Sequence, residues 1–259
     1  MSAANRRRAR ARSGARLSLR LDASEAAEAR RGFDETSVWI FDLDNTLYPS
    51  CCDLFAEVDR RMGTYIAEHL GVPLDHARYL QKRYYHEYGT TLSGLMQVHK
   101  LDPHDFLEYV HDIDLAPVSA APELAAALQA LPGRRLIFTN GSRRHAERVA
   151  EKLGVLHLID DICDIAACEF VAKPSPDAFH RMMGRHEVAP AQAAMFEDMP
   201  HNLEAPHALG MTTVLVHSEY ADHPAQLQMC NWTELPAYIH HATDDLTGFL
   251  TSIPARHSP

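Results

Sequence analysis

Asp42 and Asp44 lie two residues apart in the stretch FDLDNTLYPS, residues 41–50. Alternate residues of an extended chain point to the same side, so both carboxylates face one way. Such a pair suits an oxygen-ligated divalent metal, and it suits a nucleophile with an acid/base beside it. It also suits a solvated loop with two acids before a turn, and a bare D-x-D does not choose between these. The residues just before it, Ser37 to Phe41, form a short apolar, β-branched and aromatic run that reads as a buried strand. The acids therefore stand at the carboxyl end of a strand, where open α/β sheets place their ligand crevice.

Three later stretches set reactive groups at similar positions. Arg134–Phe138 reads as a strand and is followed by Thr139, Asn140, Gly141 and Ser142. Ser142 caps a helix whose apolar residues are Ala146, Val149, Ala150 and Leu153, with Gly154 as its stop. Hydroxyl, amide and glycine at a strand-to-helix turn make a phosphate cradle, because free N–H groups and the helix dipole favour an anion. Ile162–Ala167 reads as a short strand. After it, Lys173 and Pro174 precede a helix carrying Phe179, Met182 and Met183; alone, this lysine reads as a surface charge. Ala193–Phe196 is a fourth strand, ending in Glu197 and Asp198 with Asn202 just beyond. Adjacent acids at a buried strand end are costly to ionise together without a cation, which favours a metal site over a helix cap. Thr212–Val216 reads as the last strand, and Asp244–Leu250 as a final helix capped by Thr243.

Between the first and second of these strands the texture is helical. Leu54, Val58, Met62, Tyr65, Ile66 and Leu70 recur at threes and fours until Gly71-Val72-Pro73. Further amphipathic runs cover Leu74 to Tyr88, Leu92 to His99 and Pro103 to His111. Arg83, Tyr84, Tyr88, Thr90 and Thr91 gather at the junction of the second and third helices. They could line a substrate pocket or pack the helices, and composition supports both. The histidines are numerous yet scattered, with no H-x-x-x-H pair on a helix.

The chain has 259 residues, 46% of them hydrophobic, enough for one large core or two smaller ones. No apolar run approaches the length of a membrane span. Five cysteines without a C-x-x-C indicate neither a disulfide framework nor a zinc site. A soluble, cytoplasmic protein with reduced thiols is the expectation. Net charge is −10, but residues 1–31 hold nine arginines against three acids, a local +6, so the remainder carries −16. An acidic body argues against nucleic acid as a partner. The basic arm, residues 1–33, reads as a disordered tail, with a transit peptide or RNA-binding arm as the other uses of such composition.

Four strand ends thus deliver D-x-D-N-T, T-N-G, K-P and E-D-x-x-x-N in chain order. With these motifs in this order, the chain resembles the haloacid dehalogenase-like hydrolase superfamily over Val38 to Val216. More closely, FDLDNTLYP, YGTTLSGL, FTNGSRRHA and TDDLTGFL are similar to the pyrimidine 5′-nucleotidase branch of that superfamily. The resemblance implies a Rossmann-like, doubly wound parallel sheet in an α/β core, residues 34–52 and 118–259, with an inserted all-helical cap, residues 53–117. It implies a phosphomonoesterase acting on nucleoside 5′-monophosphates, pyrimidine preferred, with phosphosugars or other small metabolite phosphates, hydrolysed or isomerised, as the alternative. Asp42 would be the nucleophile and Asp44 the acid/base, with Thr139, Asn140, Gly141 and Lys173 on the phosphate. Mg²⁺ would bind Asp42, the backbone of Asp44, and Asp198, with Glu197 acting through water. Thr46 and Asn202 would orient the loops. Arg83, Tyr84, Tyr88, Thr90 and Thr91 would meet the leaving group. A dehalogenase needs the nucleophile but not the second acid. A non-catalytic scaffold on the same fold would release no phosphate from any phosphoester.

Overall fold

In the computed structural model, the residues described are 31–218, 229 and 232–253. The basic arm up to residue 30 lies outside them. Its last residues belong to the packed body: Arg31 donates to the carbonyls of Gly210 and Ala191, and Phe33 stacks on Trp39 with ring centroids 5.6 Å apart.

Strand β1 (Val38–Phe41) is buried on both faces. Val38 and Ile40 join one apolar cluster, and Trp39 and Phe41 join the other on the opposite side of the sheet. A continuous apolar run is what a central parallel strand covered by helices requires. Strands β2 (Arg134–Phe138) and β4 (Ala193–Glu197) flank β1, with Phe41 paired to Ile137 on one side and Phe196 on the other. β3 (Asp161–Cys163), β5 (Thr212–Val216) and β6 (His241–Thr243) complete a six-stranded parallel sheet of order β3-β2-β1-β4-β5-β6. This is the doubly wound arrangement, whose order reverses beside its first strand.

Helices α1 (Leu54–Leu70), α2 (Leu74–Tyr88), α3 (Thr91–His99) and α4 (Pro103–His111) follow β1 without an intervening strand among the described residues. They pack mainly on one another, α2 against α1 and α3, and α4 against α1. Their buried residues, among them Ile66, Leu95, Phe106 and Val110, run on into the cluster that holds Trp39 and Phe41. The chain continues through α5 (Pro122–Ala130), α6 (Arg143–Leu153), α7 (Pro176–His186), α8 (Glu204–Ala208) and α9 (Leu246–Ser252). No helix among the described residues is long and apolar enough to cross a membrane.

Three details differ from the expected elements. The strand expected over Ile162–Ala167 stops at Cys163, because Asp164 accepts hydrogen bonds from the backbone of Arg143 and Ala167 and turns the chain. The last helix begins at Leu246 rather than Asp244, with Asp245 and not Thr243 as its cap; the Asp245 carboxylate accepts from the Gly248 N–H at 2.9 Å. Strand β6 has no apolar run to announce it; His241-Ala242-Thr243 is an edge segment held by pairing with β5.

Gly133 adopts φ +83° at the turn into β2, and a Cβ there would overlap the Ser37 carbonyl oxygen. That carbonyl accepts from Arg134 N at 2.9 Å, so the turn sets the β1–β2 register. Gly133→Ala should destabilise the fold by at least about 1–3 kcal/mol, the cost of a strained backbone position; the midpoint of urea unfolding measures it. His240 Nδ1 accepts from Thr213 N at 3.0 Å, and burial, then His207 and His241, push the His240 pKa down to about 4. The folded pKa lies below the unfolded one, so the unfolded chain takes up the proton first. Stability contributed by neutral His240 is present above about pH 6.5 and is lost as pH falls toward 4. His240→Gln should flatten this part of a plot of Tm against pH.

Candidate active site

Asp42, Thr139, Glu197 and Asp198 follow or end the three adjacent strands β1, β2 and β4, so register alone brings them together. Asp42 N donates to the Phe196 carbonyl at 2.9 Å, continuing the β1–β4 ladder past the strand end and holding Asp42 level with Glu197. Lys173 enters from the loop after β3. Its ammonium has three acceptors: Asp42 Oδ1 at 2.6 Å, the Phe138 carbonyl at 2.8 Å and Glu197 Oε1 at 2.9 Å. All three N–H donors are thereby used, and the residue is 2% exposed. It is no surface charge.

Asn140 holds this lysine in place. Its side chain donates to the Lys173 carbonyl at 3.0 Å and accepts from the Lys173 N–H at 2.9 Å, clamping the two loops together. Thr139 Oγ1 accepts from Gly141 N at 2.9 Å, and so shapes the turn before α6. Asn202 donates to Glu197 Oε1 at 2.6 Å, and Met199 N to Glu197 Oε2 at 2.7 Å. Asn202 Oδ1 and the hydroxyl of Thr46 are buried and find no protein partner among the described residues.

Asp42, Glu197 and Asp198 are all buried, and one oxygen from each lies within 4.8 Å of the others. Burial would strip the proton from Lys173, but Asp42 and Glu197 reverse this and raise its pKa above the ordinary lysine value. Burial likewise pushes the Asp42 carboxyl up; Lys173 lowers it, Glu197 and Asp44 raise it again, and it settles at about 7. Asp198 is pushed well above the usual carboxylate range by burial and then by Glu197 and Asp42. Glu197 is held low despite burial, chiefly by Lys173. Three carboxylates share one ammonium, so the cluster is short of positive charge, and Asp42 and Asp198 are shifted toward their protonated forms while Glu197 is not. A hard divalent cation fits this all-oxygen donor set and would take the place of those protons.

Asp44 faces a different environment. Its Oδ1 accepts from Tyr48 Oη at 2.7 Å and pairs with His145 Nε2 at 2.9 Å. Burial pushes the Asp44 carboxyl up, and His145 followed by Tyr48 overcomes this and holds it down at about 2. His145 belongs to α6, and His111, the last residue of α4, stacks on it at 4.4 Å and 12°. A cleft of about 400 Å³ between α4 and α6 is lined by Ser142, both histidines, Arg61, Arg144 and Arg148. Scattered in sequence, these histidines had no spacing to reveal them.

The five residues of the helical insert expected at the leaving group find partners within the insert. Arg83 is exposed and paired with Glu87 at 2.8 Å; Tyr84 is buried and bonded to His99 Nε2 at 2.6 Å. Tyr88 packs edge-on against Tyr84, Thr90 caps α3 by accepting from Ser93 N, and Thr91 donates to the Gln81 carbonyl. Of the two roles that composition allowed them, these contacts are helix packing. Tyr85, the next residue of the same aromatic cluster, is exposed, and burial followed by the charges of Glu197 and Asp198 raises its pKa.

A family model described as haloacid dehalogenase-like hydrolase matches residues 37–210. The chain belongs to this family. Phosphate metabolism protein 8 of Saccharomyces cerevisiae is 29% identical over 196 residues, which span 69% of this chain and 60% of that protein, less than two thirds of its length. A haloacid dehalogenase-like phosphatase of Thermococcus onnurineus superposes with a TM-score of 0.55 at 16% identity, covering 85% of this chain and 99% of that one. CbbY of Rhodobacter sphaeroides, solved with phosphate, gives 0.54 at 19% identity, covering 82% and 95%. At these identities the structural likeness speaks for the fold alone. Within this family fold, the ends of β1, β2 and β4 hold the buried cluster.

Removing the ammonium leaves two buried carboxylates without their counter-charge. Lys173→Met should cost about 3–5 kcal/mol, the range for breaking one partner out of a buried ion pair, measured by chemical denaturation. The acidic cluster should bind Mg²⁺, and at a hundredfold excess over Kd this adds about 2.7 kcal/mol of stability. The corresponding rise in Tm should be absent in Asp198→Asn.

Proposed function

We propose that this chain is a Mg²⁺-dependent phosphomonoesterase that hydrolyses nucleoside 5′-monophosphates, pyrimidine nucleotides preferred, through an aspartyl-phosphate on Asp42. The observation that carries the reading is the division of labour between two neighbouring acids. Asp42 is bonded to a lysine inside an acidic cluster, whereas Asp44 is held apart from it by Tyr48 and His145. A displacement at carbon followed by ester hydrolysis needs the first acid only. Phosphoryl transfer to water through an alcohol leaving group needs both, one to attack and one to move protons.

Asp42 attacks phosphorus in line, forming a P–O bond as the bond to the substrate alcohol breaks; Asp44, ionised in the free site, is driven to take up a proton by the phosphate dianion arriving beside it and passes that proton to the departing oxygen. In the second step a water gives its proton to Asp44 and attacks the same phosphorus, which releases inorganic phosphate and restores the Asp42 carboxylate. Lys173 offsets the repulsion between a carboxylate nucleophile and a phosphate dianion. Thr139, Asn140 and Gly141 form the turn that receives the phosphoryl oxygens. Mg²⁺ would be held by Asp42, the Asp44 backbone, Asp198 and, through water, Glu197, and it supplies positive charge to the phosphoryl group. Thr46 and Asn202 orient the loops around it. Residues 53–117 act as a cap over a core of 34–52 and 118–259, and exclude water from the intermediate. The nucleotide assignment rests on the motif resemblance together with an exposed aromatic side chain of α2, Tyr85, which is available to stack on a base.

Phosphate release with Mg²⁺ across UMP, CMP, dUMP, AMP, GMP, IMP, sugar phosphates and p-nitrophenyl phosphate tests the reading. Selective turnover of UMP and CMP is expected; turnover confined to sugar phosphates would replace the substrate class, and no turnover would overturn the chemistry. Asp42→Asn should abolish turnover with the fold intact. Tyr85→Ala should raise KM for UMP by roughly tenfold, the loss of one stacking contact of about 1–3 kcal/mol, with a smaller change in kcat.

A further inference from the structure

His145 is a histidine without solvent: its side chain is 0% exposed. One ring nitrogen, Nε2, lies 2.9 Å from Asp44 Oδ1, and the other, Nδ1, has no partner among the described residues. An unsatisfied buried nitrogen is a standing cost, so packing alone does not account for an imidazole where an apolar side chain would serve. Its surroundings fix the ring. The His145 backbone N–H donates to Ser142 Oγ at 3.3 Å, which places the residue in the first turn of α6, and the Ser142 hydroxyl bonds His111 Nδ1 at 3.0 Å. His111 lies flat against the imidazole, and Arg148 donates to the carbonyls of His111 and Ile113 at 3.0 Å each. The start of α6 and the end of α4 therefore form a rigid seat for one ring, and that ring is aimed at a carboxylate.

Tyr48 Oη and His145 Nε2 both fall on the same oxygen of Asp44. With two donors on Oδ1, its lone pairs are occupied and Oδ2 is left to carry a proton. We propose that His145, acting with Tyr48, is the positioning residue of the acid/base: it holds Oδ1 of Asp44 so that Oδ2 is presented to the leaving-group oxygen and then to the hydrolytic water. This rests on the phosphatase reading above. His145 touches neither substrate nor the reacting phosphorus in it, and it acts only through Asp44.

A misplaced acid hurts esters in proportion to how badly their leaving group needs a proton. The ribose alkoxide of a nucleoside monophosphate cannot leave without one, whereas p-nitrophenolate can. The comparison is made in kcat/KM, which covers steps up to departure of the alcohol and not hydrolysis of the aspartyl-phosphate. For His145→Ala, kcat/KM should fall about a hundredfold on UMP, the lower end of general acid catalysis, and less than about threefold on p-nitrophenyl phosphate. Because the second step also uses Asp44, the same variant should release a burst of p-nitrophenolate equal to the enzyme present, followed by a slow steady rate. His145→Gln places an amide N–H where Nε2 lies and should recover most of the UMP activity. Val149→Ala, a buried change further along α6, serves as the packing control and should lower both esters alike.

Equal losses on both esters in His145→Ala, or no loss on UMP, would overturn the assignment while leaving the phosphatase reading in place. A wild-type protein inactive on both esters would overturn the two together. If His145→Ala does not fold, His145→Gln and Tyr48→Phe carry the test: Tyr48→Phe removes the second donor and should show the same selective loss on UMP, and its absence would refute the shared positioning of Oδ1.

Discussion

A single buried ammonium is the constraint on which the rest of this site depends. Lys173 lies where water cannot solvate it, and a charge so placed persists only if every donor finds an acceptor and the net charge is balanced. The acceptors come from three neighbouring strand ends, an Asp after β1, a carbonyl at the end of β2 and a Glu at the end of β4. The lysine therefore depends on strand order and register, and the strand ends in turn depend on the lysine to offset their carboxylates. With Asp198 as a third carboxylate, one ammonium is not enough; burial and then the neighbouring carboxylates push Asp42 and Asp198 toward their protonated forms, and the cluster suits a divalent cation.

Against this charged cluster, Asp44 shows how a shift of two residues changes a carboxylate's character. Asp42 and Asp44 both follow the end of the same strand, yet the first meets an ammonium and two acids while the second meets a phenol and an imidazole. The difference comes from what stands beside each, and the partners of Asp44 arrive from the loop after β1 and from α6. Because α4 packs its final histidine on the same imidazole, the far end of the helical insert is tied to the residue beside the acid/base. The apolar cluster under that tie runs unbroken from the insert into the sheet. The insert and core are therefore coupled through packing as well as through the connections on either side of the insert.

The parts that the sequence conveyed were those in which a residue's neighbours along the chain do the work. Strand β1 is legible because a strand buried on both faces must be apolar throughout, and α2 and α4 because apolar residues recur at helical spacing. The carboxyl-end motifs are legible for the same reason, since a strand must stop where its polar residues begin. Strand β6 was not, because an edge segment such as His241-Ala242-Thr243 needs little apolar surface and takes its conformation from its partner. The residues around Tyr88 were legible as a cluster but not as to role: a Tyr that packs inside a helical pair and one that faces a ligand look alike in composition.

By itself, then, the amino-acid sequence determined the order of the first five strands and the helices among them, the identity of the acids, hydroxyls and lysine at the strand ends, and the family to which they belong. It could do so because secondary structure and strand-end chemistry are set by residues close together in the chain. Only the tertiary structure decided that Lys173 is a buried counter-ion rather than a surface charge, that Asn140 clamps it, that Tyr84 is buried against His99 while Tyr85 stays exposed, and that His145 is seated between Asp44 and His111. The two tyrosines aside, those relations join residues 33 to 131 positions apart, and no periodicity records a contact whose two ends meet only once the sheet has formed.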